Sequence, residues 1–391
     1  MTERAAAAGV DGVRRRNLAR LLQLVHVHGP MSRARLTQTT GLNRSTVAAL
    51  VAELCALGLV LELAPEETNR AGRPSPVVAP HPAACALAVN PEVDAVTVAV
   101  VSLDGAIVAR QRVEVDHLVT PEQTGAIVAE LRHRWLAGPL ADRRLLGVGV
   151  AVPGLVRAGD GLVRDAPHLE WRDAAVRDLM QAETGLPTAV GNDASLGALA
   201  EHLFGAGRGI DDLVYLNGGA SGIGGGVLIG GQLVGGAGGY AGEFGQNRPG
   251  IADAADRRAV DGVLEDEVSR TWLLQVVGLS VADEPTLAAA IHASSDPAVA
   301  AEVRRQRGIL ATALGNAVNV LNPSLIVLGG FLATLAGEDP GRLLAAVAQQ
   351  AMPAACEQLA LRVAALGEDR LLIGAAEAAF TAVLADPTVA G

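Results

Sequence analysis

The sequence of 391 residues contains no lysine and very few aromatic residues. All 31 basic residues are arginine, and phenylalanine, tyrosine and tryptophan together make up 2% of the chain. Its cores must therefore be filled by alanine, valine and leucine. Hydrophobic residues still form 50% of the sequence and charged residues 19%. This balance excludes disorder over most of the chain, and the length predicts two or three domains with ample core.

Cysteine is also scarce and widely spaced, at Cys55, Cys85 and Cys356. Three isolated cysteines offer neither a disulfide framework nor a cysteine metal cluster, which favours a reducing cytoplasm. The first residues, Met1–Val13, lack the apolar core of a signal peptide. No apolar run approaches the ~18 residues of a membrane span. We therefore expect a cytoplasmic protein without membrane contact.

The charge is divided unevenly along the chain. Residues 1–80 hold ten arginines against six acidic residues, a net charge of +4, and residues 81–391 hold 21 against 36, a net charge of −15. A small basic part joined to a large acidic part is typical of a nucleic-acid-binding module with a separate second module. Chance fluctuation is the alternative.

The first 80 residues carry the pattern of a winged helix-turn-helix. Apolar residues recur at i, i+3, i+4 and i+7 over Arg14–His28, which predicts an amphipathic helix. Ser32 is the expected N-cap of a short second helix, Gly41 the turn and Asn43 the N-cap of a third helix. A polar turn at 65–73, between two apolar stretches, predicts the wing.

This arrangement would place the start of the third helix in the major groove of DNA. The narrow segment 72–74 of the wing could enter the minor groove. The candidate contacts are arginines that grip guanine or phosphate and small polar residues: Ser32, Arg35, Asn43, Arg44, Ser45, Thr46, Arg70 and Arg73. A three-helix protein-interaction module with solvated arginines is the alternative.

The remaining residues predict an α/β body. Strand-like and helical segments alternate, and glycine-rich turns occur in both halves, which indicates two similar lobes around a cleft. We expect a DNA-binding domain at 1–80 and a body at 81–391, with lobes at about 81–187 and 188–391. The segment 90–92 is the expected turn of the first hairpin. The sequence leaves open whether Ile309–Val320 and Leu372–Leu384 are core helices or dimer helices.

Short motifs along most of the chain resemble the ROK family (repressors, open reading frames and sugar kinases), and in particular its regulators of the xylose and N-acetylglucosamine repressor type. They are GLNRSTV at 41–47, GRP at 72–74, VAVPG at 150–154, APHLEW at 166–171, NDA at 192–194, GIGGG at 222–226, AGEFG at 241–245 and VLGG at 327–330. The resemblance implies a winged helix followed by a two-lobed body of the sugar-kinase and actin-like (ribonuclease H-like) fold.

The resemblance also implies a sugar site. In family kinases the residue matching Asp193 removes a proton from the sugar hydroxyl that attacks ATP. The implied sugar-binding residues are Gly154, Asn192, Asp193, Glu243, Gln246 and Glu265. From the residues alone, a helix cap is the alternative for the Asn192–Asp193 pair, and a solvated acid in a turn is the alternative for Glu243.

Two departures from the family pattern matter. Asn90-Pro91-Glu92 stands where the family has an aspartate and a glycine-rich phosphate turn. Proline has no N–H to offer a phosphate, and the glutamate repels it, so we expect no kinase activity, no cofactor and only a vestigial base at Asp193.

The second departure concerns zinc. Members of the family commonly bind a structural zinc ion here through a histidine and cysteines. Gln246 stands in place of that histidine, and no cysteine follows before Glu265, so we expect no metal. The sequence leaves open whether the loop 247–262 is ordered. His168 stands where the family often has asparagine, which indicates altered specificity.

Together these features predict a transcriptional regulator, a repressor rather than an activator. It would bind inverted-repeat operator DNA as a homodimer or homotetramer and respond to a sugar or sugar derivative. Two alternatives remain: a sugar kinase with a DNA-binding head, and a sugar-blind regulator whose body only dimerises.

Overall fold

The structure, a computed structural model, describes residues 2–64, 75–219, 222–251, 253–337 and 339–390. Within these residues the N-terminal part is a winged helix-turn-helix with a three-stranded antiparallel sheet in the order β1-β3-β2. Its elements are α1 (Thr2–His28), β1 (Met31–Ser32), α2 (Arg33–Thr40), α3 (Arg44–Ala56), β2 (Val60–Leu63) and β3 (Val77–Pro80).

Local caps set the helix ends in this head, as the sequence predicts. Ser32 Oγ and Asn43 Oδ1 each accept a hydrogen bond from the backbone N–H three residues later, at 3.2 and 2.8 Å. Gly41 ends α2 with a φ of 72°, a left-handed conformation that favours glycine. These three predictions are confirmed. The first helix begins at Thr2, earlier than predicted, because the alanine-rich residues before Arg14 have high helix propensity.

The body contains two five-stranded sheets of the same topology. In each, an antiparallel three-stranded meander is extended by two parallel strands, in the orders β6-β5-β4-β7-β11 and β14-β13-β12-β15-β16. The first sheet consists of β4 (Ala84–Pro91), β5 (Ala95–Ser102), β6 (Ile107–Glu114), β7 (Arg144–Val152) and β11 (Thr188–Asn192). The second consists of β12 (Leu213–Gly219), β13 (Gly222–Ile229), β14 (Gln232–Leu233), β15 (Leu325–Gly330) and β16 (Ala360–Val363). The prediction of two similar α/β lobes is confirmed.

Helices cover both sheets, and a small sheet of β8 (Leu155–Val156), β9 (Val163–Ala166) and β10 (Trp171–Ala174) extends the first lobe. The helices of the body are α4 (Pro121–Leu136), α5 (Val176–Thr184), α6 (Asp193–Phe204), α7 (Leu264–Glu267), α8 (Arg270–Val276), α9 (Glu284–Ala293), α10 (Pro297–Leu321), α11 (Phe331–Ala336), α12 (Pro340–Ala348), α13 (Pro353–Cys356) and α14 (Arg370–Ala385). None of the described helices is long and apolar enough to cross a membrane.

The first hairpin of the body turns later than predicted. Asn90 and Pro91 are the last residues of β4, and the turn falls at 92–94. The prediction of a turn at 90–92 is therefore wrong. Pro91 lies beyond Val89, the last residue of β4 that pairs with β7, so the strand is paired there on one side only. Such a position tolerates a residue without a backbone N–H.

Helix α14 is packed between the first sheet and α6 with no space for additional atoms. A Cβ at Gly149 of β7 would overlap the carbonyl oxygen of Ala375, and a Cβ at Gly374 would overlap that of Leu196 in α6. Glycine is therefore required at both contacts. The segment Leu372–Leu384, whose role the sequence left open, is a core helix.

The other segment left open, Ile309–Val320, belongs to α10. It buries one face in the core of the second lobe through Leu310, Leu314 and Val318. Val320, in contrast, is 80% exposed near the end of the helix. The buried face of this segment is core.

Helix α1 contacts α14 through a buried ion pair. His26 is 2% exposed; its Nε2 lies 2.9 Å from the carboxylate of Glu377, and its Nδ1 donates to the carbonyl oxygen of Leu103. Both partners are acceptors, so both ring nitrogens carry protons. Burial disfavours the charged ring, but Glu377, the Leu103 carbonyl and Asp104 outweigh it and raise the pKa of His26.

Replacing Glu377 with glutamine should lower the free energy of unfolding by about 3 kcal/mol near pH 6, because a buried cation loses its counter-charge. His26 has a raised folded pKa, so its contribution is complete below about pH 6.5 and is lost as pH rises through the folded pKa. Denaturant titrations from about pH 6 to pH 9 should show that the difference in free energy of unfolding between the wild type and Glu377→Gln decreases as the pH rises.

The matched control at the same interface is Asp386→Asn. Its exposed partner Arg15 lies 3.6 Å away, and such a pair contributes about 0–1 kcal/mol. A stability difference for Glu377→Gln that stays constant with pH would contradict the assignment of a charged histidine.

Candidate functional site

A polar cleft of about 470 Å³ lies between the lobes, where β7 and β11 end and β12 and β13 approach them. The carboxyl ends of parallel strands are the usual ligand-binding edge of an α/β sheet. The structure brings all six of the sugar-site residues implied by the resemblance to the wall of this cleft: Gly154, Asn192, Asp193, Glu243, Gln246 and Glu265.

Asp193 is the first residue of α6, and Asn192 is the cap of that helix. Asn192 Oδ1 accepts the N–H of Ser195 at 2.9 Å, and Asp193 Oδ1 accepts that of Ala194 at 2.8 Å. Burial raises the pKa of Asp193 to about 6, although the helix N–H and the Arg370 guanidinium favour the charged form. Asn192 and Asp193 therefore bond to the start of α6 and line the cleft at the same time.

Gly154 shapes the cleft from the opposite side. Its carbonyl oxygen accepts a hydrogen bond from Asn192 Nδ2 at 3.1 Å, which ties the end of β7 to the start of α6. A Cβ at Gly154 would overlap the carbonyl oxygen of Asp165 on β9. Glycine at this position therefore allows β9 to pass close to the cleft.

Glu265 enters the cleft from α7 and is held on both carboxylate oxygens. Its Oε2 accepts the backbone N–H of Ile223 at 3.0 Å, and its Oε1 accepts Gln246 Nε2 at 2.6 Å. Side chains at Gly222 or Gly245 would overlap this carboxylate. The glutamine that replaces the family's histidine thus orients a cleft carboxylate.

Glu243 adds a third carboxyl group to the cleft. Burial raises its pKa, and repulsion from Asp193 and Glu265 raises it further. Converging carboxyl groups can accept hydrogen bonds from several hydroxyl groups of one ligand at once. The arrangement therefore suits a ligand rich in hydroxyl groups.

Three further polar side chains line the cleft. Asn217 and Asp165 were not singled out by sequence reasoning, whereas His168 was marked as a departure from the family. Asn217 Oδ1 is buried and has no hydrogen-bond partner among the residues described. Asn217 could have been found from its position, because it is a polar residue near the end of an apolar strand and just before a glycine-rich turn. Asp165 gave no signal, because β9 forms only through tertiary pairing.

The residues in place of the family's phosphate turn belong to a different cavity, of about 410 Å³. The Glu92 carboxylate accepts Thr97 Oγ1 at 2.7 Å and lies 3.6 Å from Arg112. Asn90 Nδ2 also donates to Glu92, at 3.4 Å. The polar side chains of this hairpin are therefore engaged with one another.

The segment after Gln246 does not fit the family's structural zinc. Gln246 is engaged with Glu265, and the sequence between them contains no cysteine. In the described ranges, no group of three or more histidine, cysteine, aspartate or glutamate side chains is placed to hold a metal ion. A tetrahedral zinc site needs about four such ligands.

The start of α3 presents a polar surface. Asn43, Arg44 and Ser45 are exposed, and Thr46 is half-buried. Asn43 Oδ1 accepts the N–H of Thr46 and the hydroxyl of Ser45, both at 2.8 Å. Arg44 has no hydrogen-bond or ion-pair partner in the part of the chain that the structure describes. Its guanidinium is therefore available to a ligand.

The remaining candidate DNA contacts lie on α2 and the wing. Arg35 is exposed in the first turn of α2, and Ser32 caps that helix. Ser75 Oγ accepts the N–H of Ala34 at 3.2 Å, which holds the base of the wing against α2. Arg70 and Arg73 lie outside the described residues.

The chain is similar to known proteins along most of its length. The family model "ROK family" matches residues 87–381. The xylose repressor of Bacillus subtilis is 31% identical over 234 residues, 60% of each chain, so this chain spans 60% of that relative's length. The xylose repressor of Caldicellulosiruptor bescii is 27% identical over 76% of this chain and 79% of its own. A glucokinase of Halalkalibacterium halodurans is 32% identical over 59% of this chain and 74% of its own.

Solved structures share the fold. A ROK family transcriptional regulator, a homologue of the E. coli MLC protein, has a TM-score of 0.76 at 21% identity and covers 95% of this chain and 97% of its own. The ROK hexokinase of Thermus thermophilus has a TM-score of 0.59 at 26% identity and covers 76% of this chain.

Fold and cleft thus define a two-lobed protein of the sugar-kinase-like class that carries a winged helix-turn-helix. The chain belongs to the ROK family.

Asp193→Asn should stabilise the ligand-free protein at neutral pH. The folded pKa of about 6 lies above the ordinary value of 3.8, so the stability linked to this group is complete below pH 3.8 and is lost as pH rises through 6. We expect the variant to melt about 2–5 °C higher than the wild type at about pH 8, with the gap closing below about pH 5.

Thermal melts over this pH range measure the effect. The exposed Asp142 of a loop, changed to asparagine, serves as the control and should show no such trend. A gap for Asp193→Asn that does not vary with pH would show that the carboxyl group is not desolvated.

Proposed function

We propose that the protein is a cytoplasmic transcriptional repressor. Its winged helix-turn-helix, at 1–80, binds operator DNA, and its body, at 81–391, binds a sugar that releases the DNA. The observation that carries this proposal is the convergence of Asp193, Glu243 and Glu265 on one cleft, in a chain whose relatives include xylose repressors. Xylose is therefore the first sugar to test.

The cleft favours a neutral sugar over a sugar phosphate. Four residues with carboxyl groups line it, Asp165, Asp193, Glu243 and Glu265, and no arginine is among its described lining residues. These carboxyl groups repel an anion but accept hydrogen bonds from sugar hydroxyls. The unpartnered Oδ1 of Asn217 offers a further acceptor.

Operator DNA suits the charge and shape of the head. Arg44 carries the fork that reads guanine or grips phosphate, and Arg35 lies near the start of the preceding helix. Arg70 and Arg73 would add contacts from the wing. We propose a homodimer or homotetramer that presents paired heads to an inverted repeat, as two-fold symmetric regulators do.

Helix α14 provides the route from sugar to DNA. Its first residue, Arg370, interacts electrostatically with Asp193, while Glu377 two turns later holds His26 of α1. Farther along, the carbonyl of Leu384 accepts Gln23 Nε2 at 2.9 Å. The helix is about 24 Å long. Sugar that closes the cleft would shift α14 and with it the head, and by linkage DNA would weaken sugar binding equally.

A second candidate is a sugar kinase with a DNA-binding head, which the glucokinase relative favours. The first hairpin of the body opposes it, because Pro91 has no N–H for a phosphate and Glu92 adds negative charge. A third candidate, a sugar-blind regulator, differs only in its response to ligands.

We expect a neutral sugar from a panel of xylose, glucose and N-acetylglucosamine, at about 10 mM, to raise the melting temperature of the protein. The same sugar should weaken binding to a duplex selected by the protein from a random library by about tenfold or more. Asp193→Ala should abolish both effects and keep DNA affinity without sugar, whereas Asp142→Ala should change neither.

Two other outcomes would overturn this function. If none of the three sugars changes the melting temperature or the DNA affinity, while DNA binding itself is intact, the sugar-blind regulator is favoured. Consumption of ATP with any of the three sugars would favour the kinase.

Arg44→Ala should weaken binding to the selected duplex by about 10- to 100-fold, the value of one good base contact, without changing the melting temperature. Arg304→Ala, at an exposed arginine of α10, is the matched control and should bind as the wild type. Fluorescence anisotropy at fixed salt measures both. Full affinity in an Arg44→Ala, Arg73→Ala double variant would rule out this DNA surface.

A further inference from the structure

A buried charge network contacts the loop 247–262, the segment in which the family pattern places zinc ligands. At its centre is Arg305 of α10, which is 9% exposed and lies between Glu267, 1% exposed, and Glu302, 7% exposed. The Arg305 guanidinium donates to Glu267 Oε2 at 2.9 Å and to the two oxygens of Glu302 at 2.7 and 3.0 Å. The three side chains are therefore held by hydrogen bonds as well as by charge.

The network reaches the loop through backbone groups. The Glu267 carboxylate accepts the N–H groups of Arg258 and Ala259 at 2.9–3.1 Å, and Arg305 Nη1 donates to the carbonyl oxygen of Asp256 at 2.9 Å. These bonds fix the backbone of 256–259 from the inside, as a metal ion fixes the residues that bind it.

The charges of the network balance. The Arg258 side chain lies 3.2 Å from Glu302, so two arginines face two carboxylates. Burial of ions is tolerated when they are paired and hydrogen-bonded, and this set meets both conditions. The network therefore needs no metal ion to neutralise it.

The same network also fixes α7, which carries Glu265 into the cleft. Arg305 Nη2 donates to the carbonyl oxygen of Glu267 at 2.7 Å, and the N–H of Leu264 donates to the carbonyl of Asn247 at 2.7 Å. The helix has only four residues, so a displacement of Glu267 displaces Glu265.

We propose that Arg305 is a positioning residue that orders residues 254–262 without metal and, through Glu267 and α7, holds Glu265 in the effector cleft. The part that concerns the effector rests on the proposed function. The order of the loop does not, and it is tested without ligand.

The first measurement uses the full chain without ligand. Metal analysis should find far less than one zinc per chain, and a chelator should change neither the melting temperature nor hydrogen exchange at 254–267. Arg305→Gln should speed exchange in these residues by about tenfold or more and leave the strands of the second sheet protected. Arg304→Gln, at the exposed neighbour on α10, should change nothing.

Stoichiometric zinc, or exchange at 254–267 that rises with chelator, would overturn the proposal. So would normal exchange there in Arg305→Gln, or exchange that rises equally across the second sheet, because the residue would then support only the core. If Arg305→Gln does not fold, Glu302→Gln removes one carboxylate, keeps the Glu267 contacts and should give the same local pattern more weakly.

The second measurement uses xylose as the probe, by calorimetry. The affinity should fall by about fivefold or more in Arg305→Gln and recover in part in Arg305→Lys, which restores the charge. Unchanged affinity in a variant with a loosened loop would overturn the positioning role. Absence of xylose binding in the wild type would exclude xylose as the sugar of the proposed function, and the exchange result would then decide the order of the loop.

Discussion

The contact of α14 with β7 and α6 is the constraint on which the rest of this structure depends. Gly149 and Gly374 allow backbone to meet backbone where any side chain would collide. A helix packed this closely cannot move independently of its neighbours. One end of α14 brings Arg370 near Asp193, and farther along the same helix Glu377 holds His26 of the head. The helix therefore joins the cleft to the winged helix-turn-helix as one packed unit.

Two groups of ionisable side chains, His26 with Arg305 and Asp193 with Glu243, separate architecture from function. His26 and Arg305 each meet carboxylates at hydrogen-bond distance, so their charges are compensated within the protein. The carboxyl groups of Asp193 and Glu243 instead have raised pKa values. Desolvated acids that share a cleft are a destabilising arrangement that folding alone does not require. Their presence in one cleft is the physical reason to regard this cleft as a ligand site.

Much of the head and part of the site could be predicted, because their signals are local. The caps at Ser32 and Asn43 act over three residues, so they can be read directly from the chain. The turn predicted at 90–92 was wrong because pairing with β5 extends β4 through Pro91, and strand ends depend on a partner as well as on local sequence. Asp165 was missed for the same reason, since β9 exists only by pairing with its neighbours.

The sequence by itself determined the helix-turn-helix, the two-lobed α/β body and, through the family's motifs, six of the residues that line the cleft, because periodicity, caps and motifs are short-range patterns. Only the tertiary structure decided which charges meet. Glu377 lies 351 positions from His26, and Arg305 lies 38 from Glu267. No local pattern encodes such pairs, because their distances are set by how the two sheets and α14 pack. The link between head and body and the Arg305 network therefore emerge only in the folded chain.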